Sequence, residues 1–239
     1  MTDSFIEQAV FTSVCTENAR GYQLASSSKG VSNDDKRFLA TSGPSHDSLL
    51  NTSPGAYSVS CQEFESGCHC IGRTTVAGEE YSNRKGPRIY TQYLLVPTEV
   101  FARFSYSPFA FLRAATASGH ICVHDNVPSE LKSFRLIGRA SSVDDRAVAK
   151  FVDTHGVHKF VAMVKQAIVQ PSLMIISKDP TAAIESLLSC LSLELRKSVS
   201  FSTFLRFSPR RPFRLLGMLN DQAEQRRVQG YQRSVVFPV

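Results

Sequence analysis

The sequence predicts an α+β fold, and three observations carry that prediction. The first half alternates apolar and polar residues in strand-length runs with short helices inserted between them. The second half mixes helix-period stretches with short strands and lacks a strict strand–helix–strand rhythm, which argues against a doubly wound sheet. The chain has 239 residues, 42% of them hydrophobic and 20% charged. That is the composition of a globular protein long enough to bury a core without staples.

Residues 4–14 (SFIEQAVFTSV) and 21–28 (GYQLASSS) are short runs with the apolar and β-branched content that strands favour. Asn33, Asp34 and Asp35 are helix-start residues, and a short helix continues to Ala40. The stretch 41–56, rich in Gly, Pro, Ser and Asn, reads as loop. Ala56–Glu65 alternates, with Tyr57, Val59, Cys61 and Phe64 as its apolar positions. Gly67 then turns the chain into a return strand, Cys68–Val76. Asn83–Gly86 is a basic loop, and Ile89–Val96 is the clearest strand, closed by Pro97. Thr98 is placed to cap a short helix with Glu99 in its first turn. Pro108–Ser118 reads as a helix that Gly119 stops. Ile121–His124 reads as a short strand and 125–143 as an irregular connection. This connection separates a strand-rich part, 1–125, from a mixed helix and strand part, 126–239, or lies inside one continuous domain.

In the second part, Asp144–Thr154 and Val157–Val169 space their apolar residues at about 3.6 and read as helices. Leu173–Ser177 is a buried-strand pattern. Pro180 opens a helix to about Leu193 with Ile184, Leu187, Leu188 and Leu191 on one face. Val199–Phe207 and Phe213–Leu219 read as a strand pair around the turn SPRRP. Asp221 caps a helix to Val228, and Tyr231–Phe237 is a closing strand.

The formal net charge is +6. From Arg196 to Arg233 nine Lys and Arg face only Asp221 and Glu224, so this segment holds the basic excess and the rest is near neutral. Eight of the nine are Arg, the residue suited to carboxylate and phosphate forks. In FLRFSPRRPFRL, Phe204, Phe207 and Phe213 interleave with Arg206, Arg210, Arg211 and Arg214. Strand alternation would put Phe inside and Arg on a solvated rim. An anionic protein partner, or nucleic acid or nucleotide, is the functional alternative.

The opening MTDSFIEQAV has neither the basic nor the apolar region of a leader, and no apolar run approaches the ~18 residues of a spanning helix. A cytoplasmic protein with no membrane partner is expected, with its six cysteines reduced. Cys61, Cys68, His69 and Cys70 carry zinc-ligand chemistry without a C-x-x-C knuckle, so strand packing and no metal are expected. His155 and His158 stand three apart with Asp153 as the one acidic partner at a fitting distance, and a solvated or capping pair is expected. Ser45-His46-Asp47-Ser48 holds the letters of a hydrolase triad, but adjacent residues do not converge as a triad must. Cys122 with His120 and His124 is a thiol–imidazole set along one segment. No phosphate-binding G-x-x-x-x-G-K-[ST], G-x-G-x-x-G, H-E-x-x-H or G-x-S-x-G is present, and no cofactor is expected.

Several segments together resemble the N-terminal domain of bacterial GTPase-associated proteins, components of NTP-dependent conflict or defence systems. They are Gln8-x-x-Phe11, Gly21-Tyr22-Gln23, Gly43-Pro44-Ser45-His46-Asp47-Ser48-Leu49, NRKGPRIYTQYLLVP (83–97) and SFSTFLRFSPRRPFRL (200–215), collinear over nearly the whole chain. The resemblance implies an adaptor-like module working with a GTPase or another system component, and it supplies no catalytic residues. The polar positions its motifs mark are Gln23, His46 and Arg88. With Arg206, Arg210, Arg211 and Arg214 these form the candidate binding set. The expected function is a non-enzymatic protein-interaction module. The alternatives are a hydrolase using His46 or the Cys122/His124 pair, and a nucleic-acid or nucleotide binder through 206–214.

Overall fold

The computed structural model describes residues 4–15, 20–80 and 86–239. One nine-stranded sheet runs through the molecule in the order β2-β1-β5-β4-β3-β7-β8-β6-β9. Its first five strands are β1 (Glu7–Cys15), β2 (Arg20–Ser27), β3 (Tyr57–Glu63), β4 (His69–Glu79) and β5 (Pro87–Val96). All pair antiparallel, as their alternation requires. The basic loop expected at 83–86 lies, except for Gly86, outside the described residues.

The remaining four strands are β6 (Leu173–Ile176), β7 (Phe201–Thr203), β8 (Leu215–Met218) and β9 (Val235–Pro238). They form a parallel block, β7-β8-β6-β9, which β7 joins antiparallel to β3. The fold class is α+β, yet the strand pair expected around SPRRP is corrected: β7 and β8 lie parallel, with Phe201 opposite Leu215. A tight turn cannot reverse the chain and leave it parallel, so 204–214 instead runs back along the sheet. It starts at Phe204, whose φ of 54° is left-handed, and pairs Leu205 with Leu49.

Helices cover both faces. On one face Ile6, Val59, Cys61, Ile71, Leu94, Leu173 and Ile175 meet α2 (Thr98–Arg103), α3 (Pro108–Ala117), α4 (Asp145–His155), α5 (Val157–Val169), α6 (Pro180–Cys190) and α7 (Leu193–Ser198). On the other, α1 (Asn33–Ser42) covers Phe11, Tyr93 and Leu95, while α8 (Gln222–Tyr231) covers Met174, Leu216 and Met218. Asp144, Asp179 and Asp221 cap α4, α6 and α8 by accepting from backbone N–H groups of the first turn.

Three further expectations are corrected. Thr98 does not cap α2; Pro97 stands at the cap, and the Thr98 hydroxyl donates to Gly67 O at 2.8 Å. The helix opened by Pro180 stops at Cys190, and a second helix, α7, begins at Leu193 with Ser192 as its cap. Residues 121–124 are not a strand but an irregular strap. Buried Gln92 takes their place in the ladder: its Oε1 accepts from Cys122 N at 3.1 Å, while its Nε2 donates to His120 O at 2.8 Å and to Gln8 Oε1 at 2.7 Å. Side-chain amides here satisfy backbone groups that a strand partner would otherwise hold.

Candidate functional site

The strand residues Phe11, Tyr22 and Ile89, the 43–50 loop and Leu205 meet on the α1 face of the sheet. Gly43 lies so close to Phe11 that a Cβ there would stand 2.4 Å from the ring. Tyr22 stacks on Phe11, and its hydroxyl accepts from Ile89 N at 2.9 Å. Leu49 packs with Ile89 and Leu205. Backbone bonds from Leu50 N to Phe204 O and from Arg206 N to Ser48 O, both 2.8 Å, fasten the 43–50 loop to 204–206.

His46 sits in this loop, and its imidazole lies against Gly86. A Cβ on Gly86 would meet His46 Cε1 at 3.0 Å, and Gly86 has φ of 130°, so glycine is required there on both counts. His46 Nε2 is 3.3 Å from Asp47 Oδ2, with Asp47 in a left-handed conformation (φ 60°). Nδ1 is buried and has no hydrogen-bond partner among the described residues. Arg88 Nε donates to Ala77 O at 2.8 Å and staples the β4–β5 bulge. Gln23 is half-buried on β2 opposite Thr12.

The four arginines of 206–214 do not share one face. Arg206 reaches Glu224, whose carboxylate also accepts from Phe207 N. Arg210 is exposed. Arg211 is buried, and its Nη1 donates to Ser42 O, at the end of α1, at 2.7 Å. Arg214 Nη2 donates to Ala167 O, Ile168 O and Gln170 O at the end of α5. Arg196 does the same for α6 through Leu191 O and Ser189 O. None of α1, α5 and α6 has a basic residue in its own last turn. Three arginines of the basic segment therefore serve as C-terminal caps for three helices, each placing a cation against the negative end of a helix dipole. The solvated-rim reading fails for Arg211, because α1 supplies carbonyls that the local sequence does not reveal.

The thiol sets separate in the same way. Cys61 and Cys70 lie on opposite faces of the sheet, and among the described residues no cluster of three metal-ligating side chains exists. His69 is buried beside Phe101, with Nε2 3.1 Å from Lys197 O, so Nε2 carries the proton of a neutral ring. Burial holds its pKa below the ordinary 6.5. The contribution of His69 to stability is therefore complete above about pH 6.5 and falls as pH drops from there to the lowered folded value, because the unfolded state binds the extra proton. Denaturant titrations from pH 7.5 to 5 read this as a slope of up to about 1.4 kcal/mol per pH unit, which His69→Asn removes.

Cys122 and His124 do come together, Sγ to Nε2 at 3.2 Å, whereas His120 stacks on Phe134. A thiol beside an imidazole can exchange a proton. Among the described residues no carboxylate bonds the His124 ring. His155 leans on Phe151 at the end of α4, and exposed His158 stands on α5, across the Gly156 break.

α5 carries a feature that periodicity alone passes over. Phe160, Met163 and Ala167 face the core. Val157, Val161 and Ile168 are exposed, with Val164 half-buried between them. At 3.6 residues per turn these four fall within about 60° of arc. Their second flank carries His158 and Lys165, and α5 has no acidic residue. VHKFVAMVKQAIV has more apolar positions than one buried face can use, and that surplus was the legible sign.

A family model described as GTPase-associated protein 1, N-terminal domain type 2, matches residues 5–133. No curated protein and no solved structure matches the chain. No helix among the described residues is long and apolar enough to cross a membrane.

Proposed function

The chain belongs to the GTPase-associated protein 1 family through an N-terminal domain of type 2, and on that premise we propose that it is a non-enzymatic docking module for a GTPase in a bacterial conflict or defence system. The observation that carries the docking reading is the exposed stripe of α5. Val157, Val161, Val164 and Ile168 follow a 4-3-4 spacing, the seam that a second helix packs against. Cations on the outer flank favour a partner helix that is apolar on one side and acidic beside it. Internal capping by Arg196, Arg211 and Arg214 argues against a polyanion as the main partner, since their donors are held by helix carbonyls. Arg206, Arg210 and His46 remain at or near the surface where the family's segments converge, and they form a second contact zone.

Co-expression with the GTPase of its own genomic neighbourhood, followed by size-exclusion chromatography, tests the proposal. A stoichiometric complex is expected. Val161→Glu weakens it at least 30-fold, equivalent to about 2 kcal/mol at a central interface position, without changing the circular dichroism. A complex indifferent to Val161→Glu moves the interface off α5. Separate elution of the two proteins at micromolar concentration overturns the docking reading.

A further inference from the structure

Helix α3 and the β3–β4 hairpin enclose a groove of about 420 Å³. Tyr57, Val59 and Arg73 come from the sheet, and Phe109, Leu112 and Thr116 from one face of α3. The lining is predominantly apolar with few polar groups, the usual make-up of a small-molecule site.

Its charges are unequal in their commitments. Arg113 and Glu185 close one end and bond each other, and Arg113 also holds Asp144 at 3.1 Å. The Arg73 side chain has no hydrogen bond and no ion pair among the described residues. Its guanidinium lies 4.9 Å from the centroid of the Tyr57 ring. That contact is made to the face of the ring and takes up no hydrogen-bond acceptor, so the N–H groups of Arg73 are uncommitted among the described residues. Burial pulls the Arg73 pKa below the ordinary arginine value, so the cation is partly stripped of water with no anion in return. An arriving anion would recover that loss, and an apolar body attached to it would lie between exposed Tyr57 and Thr116, over a floor of buried Val59, Phe109 and Leu112.

We propose that this groove binds a small amphipathic carboxylate, with the carboxylate on the N–H edge of Arg73 and an aliphatic chain against Val59, Phe109 and Leu112. A single monoanion matches the single uncommitted cation. This site is independent of the GTPase reading, since it uses neither α5 nor the His46 loop.

Isothermal titration and methyl NMR of the full chain with decanoate and with decanol, both kept below aggregation, test the site. Decanoate is expected to bind at least tenfold more tightly than decanol and to shift the Val59 and Leu112 methyl signals. Arg73→Met is expected to bring the ratio of the two affinities below threefold. The Arg73 side chain makes no hydrogen bond among the described residues and its backbone pairing is unaffected by the change, so that variant keeps the fold. Thr116→Trp, at an exposed wall position, is expected to block both ligands. Equal affinities for acid and alcohol, decanoate binding unchanged in Arg73→Met, shifts confined to residues outside the groove, or no binding at millimolar decanoate would each overturn the proposal.

Discussion

Arg211→Ala is expected to lower stability by about 3 kcal/mol, while Arg210→Ala beside it changes stability by less than about 0.5 kcal/mol. The two residues are neighbours in sequence and opposites in environment. Arg210 is exposed. Arg211 is 8% exposed, with its guanidinium on Ser42 O and near Tyr93. Alanine leaves the last carbonyl of α1 buried without a donor, which costs about 1–3 kcal/mol, and opens a void under the 204–214 segment, which adds to the loss. Removing a desolvated cation returns part of its burial cost, and burial does lower the Arg211 pKa. The net effect stays destabilising because the carbonyl is left behind. For a chain of this size, 3 kcal/mol corresponds to a melting-temperature drop of roughly 6–12 °C, readable by calorimetry. Equal stabilities of the two variants would show that the α1 cap is not what Arg211 supplies.

That contrast explains how far the sequence could be read. Strands β1 to β5 were legible because their pairing is antiparallel and largely between sequence neighbours, so alternation and turn residues specify it locally. In the second part α4, α5, α6 and α8 were legible from period, three of them with Asp at their starts, whereas α7 was hidden inside the apolar run that Pro180 opens. The role of Arg211 was not, because its acceptor is 169 residues away. The parallel relation of β7 and β8 was hidden for a similar reason: the connection 204–214 takes its conformation from pairing with Leu49 and from the Glu224 carboxylate. The strap at 121–124 misled because Cys, Val and Ile suit a strand, and only the buried Gln8–Gln92 amides reveal the substitute bonding. At the candidate site, the motif residues His46 and Gly86 proved to be in contact. The exposed stripe of α5 could have been found by counting its surplus apolar positions.

The second large effect is expected at Glu224. Its side chain is 3% exposed and holds two groups at once, the Phe207 N–H and the Arg206 guanidinium at 3.4 Å. Glu224→Ala strands the buried Phe207 N–H, which costs about 1–3 kcal/mol, and leaves Arg206 with Asp221 at 3.9 Å as its remaining carboxylate. Arg206→Ala is expected to cost less than about 1 kcal/mol, because that side chain is 40% exposed and Glu224 keeps its backbone donor. Glu224→Gln keeps a carbonyl acceptor for Phe207 N and should retain most of the stability that alanine loses. Chemical denaturation of the three single variants and the Arg206→Ala, Glu224→Ala double variant gives the coupling directly. A small coupling with a large Glu224→Ala effect assigns the work to the Phe207 N–H, leaving Arg206, like Arg210, dispensable for the fold. Charge reversal at Arg206 and Arg210 could then probe partner binding without disturbing the structure. A coupling as large as the Glu224→Ala effect itself would make Arg206 a structural cation, and α5 would be the surface on which to look for the partner.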